Sequence, residues 1–115
     1  MTSTRGSATG NPAIGKDVQA DGIRTNYLEA GSGNRHVVLV HGSGPGVTSY
    51  ANWRGVLPEL GKDFHVVAPD MVGFGYSERP KDVTYGLDTW ADQTLGVMDT
   101  LGIENFISVK ETQGP

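Results

Sequence analysis

Three short apolar runs constrain this chain more than any other feature: VVLV at 37–40, the middle of FHVVAPD at 64–70, and NFISV at 105–109. A strand with one wet face alternates apolar and polar residues. An unbroken apolar run marks a strand covered on both faces, the arrangement found in parallel sheets. Such strands need helices between them, because a parallel connection must cross over the sheet.

The intervening segments carry helical spacing. Over 49–60, Trp53, Val56, Leu57 and Leu60 fall at i, i+3, i+4 and i+7, with Thr48 or Ser49 available as N-cap and Pro58 expected to kink or end the helix. From Asp88, taken as an N-cap, Trp90, Thr94, Val97, Met98 and Leu101 share one stripe. Gly102 then stands where a left-handed C-cap is wanted, and Ile103 can pack back onto Met98. Ahead of these elements, 14–20 and 23–29 flank Asp21-Gly22, a hairpin-turn dipeptide. The expected fold class is α/β: an antiparallel hairpin leading into a parallel sheet with flanking helices. Two helices cannot cover both faces of three buried strands, so the fold reads as incomplete. The expected division is a disordered N-terminal segment, 1–13, and a partial domain, 14–115.

Composition narrows the partners. Nine Lys and Arg against thirteen Asp and Glu give a formal charge of −4, with a pI near 5.2. No basic stripe exists to displace counterions from a nucleic acid, so none is expected as a partner. The longest apolar runs are too short to span a bilayer. The chain has no cysteine, which fits a reducing cytoplasm. Its three histidines, His36, His41 and His65, lack metal-ligand spacing; His36 and His65 begin strands and are expected at the surface.

The chemistry-bearing stretch is HGSGPG at 41–46, directly after the first buried strand. The carboxyl ends of strands in open α/β sheets are where ligands bind. Glycine-lined backbone N–H groups there can face a developing negative oxygen. A phosphate loop would require Gly-Lys-Ser/Thr, and a dinucleotide loop G-x-G-x-x-G; this stretch supplies neither. A tight turn serving only the connection is the remaining plain reading.

VVLVHGSGPGVTSYANWR followed by VVAPDMVGFGYSERP resembles the α/β-hydrolase fold, and within it the meta-cleavage product hydrolases of the 2-hydroxymuconic semialdehyde type, over about residues 14–109. The resemblance implies cofactor-free hydrolysis of a carbon–carbon bond in a small-molecule ring-cleavage product of a catechol. It implies that the Ser43 backbone N–H is one oxyanion donor, that Gly42 and Gly44 shape the cradle, and that Asn52 meets the oxygenated end of the substrate or else serves α-helical structure. His41 is expected to stabilise the loop, Arg54 to be a surface or loop-bracing cation, and Asp70 to accept backbone N–H bonds in its turn.

At the far end, ISVKETQGP departs from the family's Gly-Asn-Ser-x-Gly-Gly elbow. Thr112 falls in the nucleophile slot and Gln113 where the second oxyanion N–H is wanted. Lys110 replaces a glycine, and every histidine lies upstream. The expectation is therefore the front portion of a hydrolase, with a terminus resembling truncation or a changed reading frame, inactive alone. Alternatives are a fragment of another α/β-hydrolase, such as an esterase or dehalogenase, or a non-catalytic remnant that self-associates through an exposed sheet edge.

Overall fold

A computed structural model describes residues 11–42, 47–81 and 86–111. It contains strands β1 (Lys16–Ala20), β2 (Ile23–Ala30), β3 (His36–Val40), β4 (His65–Pro69) and β5 (Ile107–Lys110). The helices are α1 (Ser49–Trp53), α2 (Leu57–Leu60) and α3 (Leu87–Thr100). The strands form one sheet in the order β1-β2-β4-β3-β5. β1 and β2, and β2 and β4, run antiparallel; β3 is parallel to both β4 and β5. The hairpin turns through Asp21 at φ 52° and Gly22 at φ 78°, the paired positive φ of a type I′ turn.

The apolar runs of β3 and β4 do bury both faces. Val38 of β3 and Val67 of β4 point to one side, where Ala20, Tyr27, Val97, Met98 and Ile103 complete a cluster. Val37, Leu39, Val66 and Ala68 point to the other, against Leu28, Trp53 and Leu57. Successive residues along a strand face opposite ways, so each layer claims alternate positions of the same run.

The structure differs from expectation in three elements. The 49–60 segment is two short helices. Thr48 caps the first, its Oγ1 accepting from Ala51 N–H at 3.0 Å. Pro58 lies in the first turn of the second, where its missing N–H costs nothing. The break turns Val56 out to solvent, off the apolar stripe it was assigned to. At α3, Gly86 holds the cap position without a side-chain bond, and Asp88 sits two residues on, in the first turn near the positive helix end. The C-terminus follows expectation: Gly102 has φ 77°, and Ile103 N–H bonds Met98 C=O at 2.8 Å.

The third correction concerns β5. Expected as a buried strand, it is exposed at all four residues, with Ile107 58% and Val109 40% exposed. It pairs with β3 alone. Residues 11–13, assigned to the disordered lead-in, are tied down: Ala13 C=O accepts from Asn26 Nδ2, and Asn11 Nδ2 donates to the Tyr76 hydroxyl. Among the described residues no helix is long and apolar enough to cross a membrane.

Candidate functional site

The bend after β3 is held from two directions. His41, fully buried, lies with Nε2 2.9 Å from Met71 N and Nδ1 2.6 Å from Gly42 O. A backbone N–H only donates, so Nε2 accepts; Nδ1 therefore carries the proton and donates to the Gly42 carbonyl. The ring is boxed by Phe74 and Trp90, with centroids at 5.2 and 5.3 Å. Burial pushes the imidazole below its usual pKa, against the opposing pull of the Gly42 carbonyl and the Asp70 charge. His41 is thus a neutral cross-brace between the β3 bend and the loop after β4.

The second hold is from α1. Asn52 Oδ1 accepts from Gly42 N–H at 2.8 Å. The Gly42 amide is therefore committed within the protein, which leaves Gly42 to shape the bend. Asn52 serves structure through its oxygen, while its amide nitrogen has no hydrogen-bond partner among the described residues. The expected oxyanion residues Ser43 and Gly44, and the elbow residues Thr112 and Gln113, lie outside the described residues.

What the structure does fix is where both segments depart. Val40 pairs with Lys110 across the parallel β3–β5 ladder, and Glu111 N–H bonds Val40 C=O at 2.8 Å. β3 and β5 are therefore neighbouring strands, spaced about 4.8 Å, that finish at the same end of the sheet. Lys110 lays its ammonium 5.7 Å from the Trp90 ring centroid, filling space with a long side chain.

Behind the bend stands a buried polar corner organised by Asp70, only 1% exposed. Its Oδ1 accepts from Ser49 N–H at 2.9 Å; its Oδ2 accepts from Tyr76 N–H and Asn26 Nδ2, each at 2.9 Å. Asp70 C=O accepts from Ser77 Oγ at 2.6 Å. Gln93, fully buried on α3, accepts from Val72 N–H and donates to Thr25 Oγ1. Asp70 thus accepts N–H bonds from its own turn and from the start of α1 as well. Sequence reasoning missed Asn26, Ser49 and Gln93. The available signal was Gln93 itself, a polar residue among the apolar positions of the α3 stripe.

The other singled-out groups are elsewhere. His36 and His65 sit at the starts of β3 and β4, a strand's length from the bend, and are half-buried and bonded to each other, not free at the surface. Arg54 is exposed, its guanidinium 5.9 Å from the Tyr50 ring.

The profile of the α/β-hydrolase fold family matches residues 35–109. The 2-hydroxymuconate semialdehyde hydrolase of Pseudomonas sp. strain CF600 is 55% identical over 94 residues, 82% of this chain and 33% of that protein. The 2-hydroxy-6-oxo-2,4-heptadienoate hydrolase of Pseudomonas putida is 52% identical over 104 residues, 90% of this chain and 37% of that protein. A meta-cleavage product hydrolase from Pseudomonas fluorescens IP01 superposes with a TM-score of 0.82 at 50% identity, covering 85% of this chain and 36% of that one. The chain spans about a third of the length of the relatives it matches.

Proposed function

This chain belongs to the α/β-hydrolase fold family, and we propose that it is a portion of a carbon–carbon bond hydrolase acting on small-molecule meta-ring-cleavage products of catechols, of the 2-hydroxymuconic semialdehyde type. The observation that carries the reading is the doubly braced bend. Asn52 and His41 hold Gly42, directly after β3, at the sheet end where β5 also finishes.

On this reading the Ser43 N–H and the Gln113 N–H are the two oxyanion donors, Gly42 and Gly44 leave room for the substrate oxygen, and Thr112 stands in the nucleophile slot. The amide nitrogen of Asn52, without a partner among the described residues, meets the oxygenated end of the substrate. Donors fixed in advance stabilise the negative oxygen of a tetrahedral intermediate without reorganising. A brace that let the bend drift by about 1 Å would cost about 100-fold in rate.

The 115 residues by themselves are inactive on this account. A hydroxyl nucleophile needs a base, and the chain's three histidines do not supply one. Both nitrogens of His41 are engaged in a buried site, and His36 and His65 lie at the opposite strand ends. A cytoplasmic location and self-association through the open β5 edge belong to the same proposal; the absence of cysteine and the exposed Ile107 and Val109 support them.

A chimera tests it. Residues 14–109 replace the matching segment of the Pseudomonas CF600 enzyme, and decay of the yellow ring-cleavage product is followed by absorbance. The chimera should turn the compound over, Asn52→Ala should slow it about 100-fold, and the 115-residue chain should show no turnover. A folded chimera that hydrolyses simple esters but leaves the ring-cleavage product intact would assign the segment to another hydrolase class.

A further inference from the structure

We propose that His36 and His65 form a divalent-metal site, one that Cu(II) would occupy most tightly, at the end of the sheet opposite the bend. The two residues are register partners on adjacent parallel strands. Their Nδ1 atoms converge to 2.9 Å, with the rings edge to face at 82°. Two imidazole nitrogens about 2.0 Å from one metal stand about 2.8 Å apart at a right angle and about 3.3 Å apart at a tetrahedral angle. The observed separation is that of a hydrogen bond between the rings, and it leaves both nitrogens within reach of one ion; among divalent first-row metals Cu(II) binds such a nitrogen pair most tightly.

The surroundings prepare one of the two rings. His65 Nε2 lies 2.5 Å from Glu29 Oε2, and Glu29 Oε1 lies 2.6 Å from Lys16 Nζ. A carboxylate on the far nitrogen holds the proton there and leaves the Nδ1 lone pair for a metal, the usual outer partner of a ligating histidine. Burial works to raise the Glu29 carboxyl, but the hydrogen bonds from Lys16 and His65, with the Lys16 charge, outweigh it and keep it ionised. In the metal-free chain a single proton bridges the two Nδ1 atoms; metal binding moves it to His36 Nε2.

Nearby cations are engaged elsewhere. Lys16 is paired to Glu29, and Arg35 lays its guanidinium 4.7 Å from the Phe64 ring centroid and donates to Asp63 C=O. An open cleft of about 560 Å³, lined by Ser32, Gly33 and Gly102 among others, leaves room for water on the remaining coordination positions. No three His, Cys, Asp or Glu side chains gather around a metal position among the described residues, so the protein supplies two ligands and solvent the rest. The site stands apart from the bend and holds whether or not the hydrolase reading does.

The test is Cu(II) titration of the ¹⁵N-labelled 115-residue chain at neutral pH. Substoichiometric Cu(II) should broaden the ring signals of His36 and His65 first, saturating at one ion per chain. His36→Gln and His65→Gln should each raise Kd at least tenfold, and Glu29→Gln about tenfold through the lost outer partner. Broadening centred on His41 or on the amino terminus would overturn the site even if a variant failed to fold. So would an unchanged Kd in a folded His36→Gln chain.

Discussion

The two flanks of β3 are built on opposite plans. Toward β4 the chain closes a corner in which the Asp70 carboxylate collects Ser49, Asn26 and Tyr76, and Gln93 ties the next loop to β2. Toward β5 there is one ladder, and the apolar side chains Ile107 and Val109 meet solvent. Buried polar groups tolerate no missing partner, so the first flank is specified atom by atom. The second is specified only by backbone pairing. The bend proposed to hold substrate oxygen lies on the seam, and among the described residues Asn52, which holds Gly42, and Met71, which holds His41, come from the closed side.

The largest break in this contrast should come from Asp70→Ala. It strands three N–H donors of the closed corner, and about 1–3 kcal/mol for each adds to roughly 5 kcal/mol, read as a collapse of the denaturant midpoint. Gly75→Ala comes next. Gly75 has φ 54° and faces Asp70 so closely that an added Cβ would run into the carboxylate; about 2–3 kcal/mol is expected in the same measurement.

Acid should loosen the closed side more gently. The folded-state pKa of His41 is lowered, so the unfolded chain binds the proton more readily. The stability His41 contributes is complete above about pH 6.5 and is lost as pH falls below it, by at most about 1.4 kcal/mol per pH unit. His41→Gln should flatten that slope. Glu29, whose pKa is also lowered, acts in a separate window below about pH 4.3, again losing stability as acid is added. On the open side Val109→Thr should shift stability by no more than about 0.5 kcal/mol, while lowering the sedimentation-measured tendency to associate.

How far the sequence spoke follows the same divide. The strands, the Asp21-Gly22 turn and the Gly102 cap were legible because each depends on its own few residues. Burial of β5 was misread, since FISV carries the pattern of a covered strand whether or not anything covers it. Val56 was misassigned because Pro58 started a second helix where it was expected only to bend or end one. The Asp70 corner was legible as a turn, but not as a junction: Ser49, Asn26 and Gln93 come from three separate elements, and only the folded sheet brings them to one residue, the first two on its carboxylate and Gln93 on its backbone carbonyl. For the same reason the pairing of His36 with His65 had no local signal.

The tautomer of His41 tests the braced bend most directly. Imidazole ¹⁵N shifts at neutral pH should show Nδ1 protonated and Nε2 bare, with a hydrogen-bond coupling from Met71 N–H into Nε2. A ring protonated at Nε2, or one titrating like a free histidine, would mean that the bend after β3 is not held from the β4 side, and the account of a fixed oxyanion cradle would fail with it.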